Sequence, residues 1–394
     1  MQKIRILIVS YHNQKYIGGI ETYQYLLTKY LPKDKYEIYE IFHELEDEKK
    51  NKDSKLIVRK EEGNSILLPI QNKRNQDFIC NSQCIFNGKN FFKSILIGLQ
   101  IFFKCKKSTK FYDKKYNFDI IIDNTVFYRL TKERNKTFFV QHSSPYGYKT
   151  ELTRIKIINK LIYFFAKLFK IEKISYYKNF VFYSKEDAKE FNLKNKNEFQ
   201  IFLPYFQNFN FSSENEILKR KNIIWRGRII DPQKGIKWLK EISSYINDDI
   251  FVYGNGPASN LISNIKNIKL MPSYKIENLP KIINNYKFNF ITSNEEGACF
   301  VAIESLANGV PIITRDTYLA AKFYVDNGKN GLLIPKDATI EQATELINNF
   351  LKMDDEKYLE MCKNAYEFAK KHFSVETFIN KWENAIDTVL KNKK

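Results

Sequence analysis

The stretch "KFNFITSNEEGACFVAIESLANGVPIIT" (287–314) decides how this chain folds. Phe288–Thr292 is a short apolar run of the kind that forms a buried strand. A polar turn follows at 293–298. Helical spacing of apolar residues then runs from about Cys299 to Asn308, and Gly309 supplies a C-terminal stop. Val310–Thr314 is a second apolar run. Strand, short helix and strand make one βαβ unit, which implies a parallel sheet with ligands at the carboxyl ends of its strands. Two glutamates, Glu296 and Glu304, lie eight positions apart on the loop and the helix of this unit. Scattered acids on a surface helix would give the same spacing; a ligand site is the other reading, and the rest of the chain chooses between them.

The same alternation extends in both directions. Upstream, "IRILIVS" (4–10), "FDIIID" (118–123), "TFFVQH" (137–142) and "NFVFYS" (179–184) read as strands separated by helical patterns such as "GIETYQYLLTKYL" (19–31). The pattern restarts with "NIIWRG" (222–227), "QKGIKWLKEISSYI" (233–246) and "IFVYGNG" (250–256). The polar stretch "QNFNFSSENEILKRKN" near 207–222 separates the two halves, and long helical segments close the chain. This predicts an α/β protein with two parallel sheets: domains at 1–207 and 208–372, and a terminal helix at 373–394. At 394 residues, two domains are also what core size favours.

Composition excludes some classes. Hydrophobic residues are 43% and aromatics 15%, far from a disordered chain. The longest uncharged apolar stretch, "SILIGLQIFF" (94–103), is half what a membrane span needs, so no transmembrane helix is expected. Five cysteines, Cys80, Cys84, Cys105, Cys299 and Cys362, fit no zinc spacing and read as reduced thiols. The net charge of +19 points to nucleic acid, an anionic membrane surface or phosphate-bearing substrates, with lysine used for solubility as the plainer alternative.

Further motifs surround the two glutamates. "WRGRIIDPQKG" places Arg228 and Lys234 in the turn after a strand, "YGNGP" places Gly254 and Gly256 after the next, and "GGIET" places Gly18 and Gly19 before the first helix. His142 ends the strand-like run "VQH". Together these residues make the sequence resemble a GT-B glycosyltransferase of the retaining family 4 (group 1) type. That resemblance implies two Rossmann-like domains facing across a cleft, with the C-terminal helix packing back toward the first. The N-terminal domain would bind an acceptor and the C-terminal one a nucleotide sugar. It also implies roles. Glu296 would lie near the sugar hydroxyls and anomeric centre, and Glu304 would bond the ribose hydroxyls. The backbone from Gly297 through Ala298, Cys299, Phe300 and Val301 would meet sugar hydroxyls or phosphate oxygens. Arg228 and Lys234 would neutralise a diphosphate whose charge rises as the glycosidic bond breaks. Gly18, Gly19, Gly254 and Gly256 would shape loops around the donor, and His142 would face the sugar. No D-x-D is evident, so no metal and no cofactor are expected. Ala298 stands where relatives often carry a bulky residue. Taken singly, each motif is also compatible with a plain turn, a structural histidine or a basic loop.

Two segments concentrate the charge. Residues 89–116 hold eight lysines and one aspartate, and 153–178 interleave lysine with Ile, Leu, Phe and Tyr. Ile158, Ile162, Phe165 and Phe169 fall at helical spacing, with Lys156, Lys160, Lys167 and Lys170 nearby. Basic amphipathic helices with aromatics read as membrane-surface elements, and a core-facing stripe with a solvated lysine face is the alternative. The expected function is a retaining, metal-independent glycosyltransferase. It would move a hexose-type sugar from a nucleotide-diphosphate donor, a UDP-sugar, to a lipid-linked saccharide in bacterial surface polysaccharide synthesis. Its expected place is the cytoplasm, peripheral at the inner face of the membrane. The rival readings are another GT-B activity, such as nucleotide-sugar epimerisation, and a basic nucleic-acid-binding protein.

Overall fold

The computed structural model describes residues 2–10, 19–42, 64–69, 91–125, 128–142, 156–189, 196–205, 207–209 and 211–392. Gly18, the polar segment 46–55, Cys80 and Cys84 lie outside the described residues. The chain divides into two compact units. The first comprises Met1–Leu203 with Ile379–Lys394, and the second Pro204–Phe378.

The first unit is built on seven strands: β1 (Ile4–Val9), β2 (Tyr36–Phe42), β3 (Ile66–Pro69), β4 (Ile120–Asp123), β5 (Thr137–Val140), β6 (Asn179–Phe182) and β7 (Asn197–Gln200). All pair in parallel, in the order β3-β2-β1-β4-β5-β6-β7. The central strands are buried on both faces, which is why β1, β4, β5 and β6 read as continuous apolar runs. Its longer described helices are α1 (Gly19–Tyr30), α2 (Phe91–Tyr116) and α3 (Lys156–Tyr176). Helix α2 buries Phe102, Cys105 and Tyr112, at intervals of three and seven residues, and exposes Lys107, Lys110, Lys114 and Lys115. It is an amphipathic helix laid on the sheet.

Helix α3 departs from that pattern. Phe164, Phe165, Leu168, Phe169 and Ile171 are 57, 50, 49, 45 and 41% exposed. Phe165 and Phe169 therefore do not form a core-facing stripe. The side chains of Ile158 and Ile162 lie outside the described residues. Toward the end of α3, Lys173 and Ile174 are buried. No described helix is long and apolar enough to cross a membrane.

The second unit holds six parallel strands: β8 (Ile223–Arg226), β9 (Ile250–Tyr253), β10 (Ile268–Met271), β11 (Phe288–Ile291), β12 (Ile312–Arg315) and β13 (Gly331–Ile334). Their order is β10-β9-β8-β11-β12-β13. Helices α4 (Ile236–Ser243), α5 (Phe300–Ala307), α6 (Ile340–Leu351) and α7 (Asp355–Phe373) pack around it. Each sheet thus reverses its strand order once, between β1 and β4 in one and between β8 and β11 in the other. Such a reversal opens a crevice at the carboxyl ends of the two strands.

Helix α8 (Val375–Lys391) starts in the second unit, and most of its length is part of the first. Its Trp382 is wholly buried in the first unit, edge-on to Phe138 at 5.5 Å and to Tyr23 of α1 at 6.3 Å. Lys35 and Glu383 close the same contact with an ion pair at 3.0 Å. Trp382→Ala should therefore destabilise the first unit by about 3–5 kcal/mol, the cost of an emptied aromatic site. Urea unfolding followed by circular dichroism checks this, and a loss below 1 kcal/mol would contradict the packing.

Candidate functional site

Two ion pairs of the second unit lie in the crevice between β8 and β11. Arg226 ends β8, and its side chain is 1% exposed. A guanidinium taken out of water needs partners on several sides. Nη1 donates to Glu304 Oε2 at 2.6 Å, and Nη2 donates to Val301 O at 3.1 Å and to Ser305 Oγ at 3.2 Å. The Tyr274 hydroxyl lies 3.4 Å from Nη1. Burial works against the charged form of Arg226, but the Glu304 carboxylate outweighs it and holds the guanidinium firmly protonated. Glu304 sits in the second turn of α5, so this pair joins the end of β8 to α5.

A second pair lies beside the first. Lys234 Nζ is hydrogen-bonded to Glu296 Oε1, with the two side chains 13 and 9% exposed. Ser293 Oγ donates to the same carboxylate oxygen at 2.5 Å. Burial opposes the charge on Lys234 too, and Glu296 again prevails, raising its pKa. The exposed Arg228 acts in the other direction on Lys234. The cations Arg228 and Lys234 are thus neighbours. Arg228 forms no ion pair with the described residues, so its charge faces solvent.

Backbone contact brings these loops together. The Gly235 amide caps α4 at φ +62°, and a Cβ there would sit 2.2 Å from Thr292 O. Only glycine lets the "QKG" turn touch the strand end that leads to Ser293 and Glu296. Thr292 Oγ ties the two further, donating to Lys234 O at 2.7 Å and accepting from Trp225 Nε1 at 3.0 Å. Gly254 and Gly256 do the same for the turn after β9. A Cβ on either would lie 1.9 Å from Gly227 O or 2.3 Å from Ile229 O. Their part is to seat one loop against the loop that carries Arg228, where Gly227 N and Ile229 N donate to Tyr253 O and Asn255 O.

The loop 293–299 is braced from outside. Asn294 Nδ2 donates to Pro232 O at 2.6 Å, and Arg315 reaches Asn294 Oδ1 at 2.9 Å while lying over the Trp238 ring. Tyr324 OH donates to Ala298 O at 2.5 Å. Ala298 and Cys299 are buried, and Gly297, Phe300 and Val301 are half-buried. Cys299 takes a left-handed conformation, φ +36°, immediately before α5. Burial pushes its thiol up to about 12, so it is no nucleophile near neutral pH. The leading amides of α5 have no intrahelical acceptor and carry the positive end of the helix dipole, which suits an anion. At the other end, Val310 N donates to Ser305 O and Gly309 N to Leu306 O, a Schellman motif that stops the helix.

In the first unit, Gly19 opens α1 and His142 follows β5. The His142 ring is engaged at both nitrogens: Nε2 is 3.1 Å from Asn124 Oδ1 and Nδ1 is 2.8 Å from Tyr183 OH. A carbonyl oxygen only accepts, so Nε2 carries the proton and the tyrosine donates to Nδ1. Burial, aided by the Lys173 ammonium, pushes the imidazole down to about 3 and leaves it neutral. Beneath it lies a fully buried ion pair, Lys173 to Asp123 at 3.0 Å. Lys173 also donates to Thr125 O at 2.6 Å, and Asp123 accepts from Thr125 Oγ and Tyr177 OH. This network was not read from the sequence; its signal was a lysine on the apolar face of a helix and an aspartate ending an apolar strand.

The chain is similar to known proteins in sequence and in fold. Residues 207–372 match the family model described as Glycosyl transferases group 1. Among curated proteins, the chain is 24% identical over 192 residues to the UDP-N-acetylglucosamine–peptide N-acetylglucosaminyltransferase GtfA subunit of Streptococcus pneumoniae. That match covers 46% of this chain and 36% of the relative. It is 29% identical over 99 residues to the poly(glycerol-phosphate) alpha-glucosyltransferase of Bacillus subtilis, covering 25% of this chain and 14% of that one. The chain thus spans well under half the length of these relatives. Among solved structures, sucrose-phosphate synthase from Thermosynechococcus elongatus superposes with a TM-score of 0.73 at 15% identity, over 99% of this chain and 100% of that one. The fold is therefore GT-B, with two Rossmann-like units. Within the second unit, the structure brings Lys234, Glu296 and Glu304 into one crevice with Arg228 at its edge, and it adds Arg226, which the motif reading passed over. An arginine ending a buried strand was the available signal.

Two measurements probe these contacts. Lys234→Met strands a buried carboxylate and should cost about 3–5 kcal/mol of stability. Adding Glu296→Gln should return most of that loss, and strictly additive losses would refute the pair. His142 binds a proton more readily unfolded than folded, so its contribution to stability is lost as pH falls from about 6.5 toward 3. Between pH 7 and 5 the wild type should lose about 2 kcal/mol more than His142→Gln in urea unfolding; equal losses would contradict a neutral buried imidazole.

Proposed function

We propose that the chain is a retaining glycosyltransferase that transfers a hexose-type sugar from a nucleotide-diphosphate donor. The observation that carries this is the meeting of Lys234 and Glu296, and of Arg226 and Glu304, beside the α5 N-terminus in a stretch that matches the group 1 family model. A nucleotide diphosphate leaves with added negative charge, and Arg228, Lys234 and the α5 amides are the groups placed to receive it. They do so in the role a metal ion plays elsewhere. Glu296 would hold sugar hydroxyls near the anomeric carbon and Glu304 the ribose. Retention follows from the family reading, by departure of the leaving group and attack of the acceptor on the same face. Uridine is the proposed base, since one relative's name specifies UDP-N-acetylglucosamine.

The acceptor proposed is a lipid-linked saccharide in surface-polysaccharide synthesis. Two observations support it. A relative is named for a poly(glycerol-phosphate) acceptor. Helix α3 presents Phe164, Phe165, Leu168 and Phe169 to solvent beside Lys167, in a chain of net charge +19. Aromatic and basic side chains on one helix suit an anionic membrane surface, so the enzyme would work peripherally at the cytoplasmic face. His142, neutral and already hydrogen-bonded, would face the sugar rather than shuttle a proton.

The test is a panel of nucleotide sugars, assayed for slow hydrolysis and for thermal stabilisation of the full chain. Glu304→Ala should raise the donor KM roughly tenfold or more, while Arg228→Ala should mainly lower kcat. Wild-type kinetics in both variants, or sugar interconversion without an acceptor, would overturn the assignment.

A further inference from the structure

The Arg226–Glu304 pair has more structure than charge neutralisation requires. Arg226 is gripped by two helical groups, Val301 O and Ser305 Oγ, and approached by Tyr274 OH. Ser305 Oγ is itself fixed, donating to Val301 O at 2.8 Å and accepting from Asn289 Nδ2 at 2.7 Å. The guanidinium therefore has one place to sit, and through the 2.6 Å contact so does Glu304 Oε2. The other oxygen, Oε1, makes no hydrogen bond with the described residues, and the Glu304 side chain remains 14% exposed. One carboxylate oxygen is anchored and one is presented.

Charge gives a second reason for the arginine. A lone carboxylate in this crevice would repel a diphosphate approaching Arg228, Lys234 and the start of α5. Paired with a buried cation, it can accept hydrogen bonds from neutral hydroxyls without that penalty. Tyr274, which meets Arg226, also lies edge-on to Tyr253 at 5.5 Å, so the arginine is held from the β9–β10 side as well.

We propose that Arg226 is a positioning residue that sets donor specificity: it holds Glu304 so that the presented oxygen selects a ribose diol over a 2′-deoxyribose, and it removes the repulsion between Glu304 and the diphosphate. This rests on the donor assignment above. The experiment is calorimetric titration of the full chain with UDP, GDP and ADP and with their 2′-deoxy counterparts. Wild type should bind the ribonucleotide it prefers roughly tenfold more tightly than its deoxy form, the worth of one hydrogen bond to a charged group. Arg226→Met should bring that ratio close to one and weaken both forms. Adding Glu304→Gln should restore affinity for both, because no unpaired carboxylate remains to repel the diphosphate. A purely structural arginine would lower the melting temperature and leave the ratio unchanged, and that result overturns the proposal. Should Arg226→Met not fold, the near-isosteric Glu304→Gln alone decides: its ratio should also fall toward one, and an unchanged ratio refutes the idea. Absence of nucleotide binding in the wild type would sink the donor assignment and this inference together. Binding with an invariant ratio would sink only the latter.

Discussion

The Lys234 ammonium and the Glu296 carboxylate are both largely removed from water, and much of the second unit is shaped by keeping them together. Neither charge could be buried singly at tolerable cost. The pair forms only if the turn after β8 touches the strand end after β11, which is why Gly235 lies against Thr292 O. That contact leaves the Lys234 carbonyl facing Thr292 Oγ, whose other partner is Trp225 in the core. Charge, loop and core are thus linked through a few hydrogen bonds. The Arg226–Glu304 pair repeats the arrangement with a carboxylate from the second turn of α5.

The first unit solves a related problem with different parts. Lys173 and Asp123 are fully buried, and each has neutral partners besides the other. The pair seats the end of α3 on the end of β4. Asn124, between the two network residues Asp123 and Thr125, is then presented to His142. One helix therefore has two faces of opposite character: a buried cation near its C-terminus and uncovered aromatics one to two turns earlier.

How much of this could be read from sequence depended on burial. Strands inside the sheets appear as unbroken apolar runs because both faces are covered. The edge strands β7, "NEFQ", and β10, "IKLM", are partly exposed and carry polar residues, so no such run marks them. Strand β2 hid for another reason: Glu40 interrupts it, although it is buried and satisfied by Gln24 and Ser65 from elsewhere in the chain. At the site, local motifs and the family resemblance they carry pointed to Glu296, Glu304, Lys234 and the glycines. They could not show that Glu304 belongs with Arg226, 78 positions away, because pairing across a sheet leaves no periodic trace. The stretch "RGR" offered two arginines; one ends a buried strand and the other faces water, and only the fold separates them.

The course of α8 has a consequence for how the protein is made. Trp382 and Glu383 complete the packing of Tyr23, Phe138 and Lys35, residues made long before them. The first unit therefore cannot finish its core until α8 has been made, whereas Pro204–Phe378 is contiguous and can close without it. Birth order and folding order run opposite to one another. The sheet of the first unit waits, with an apolar site open beside α1, for the turn of α8 that carries Trp382.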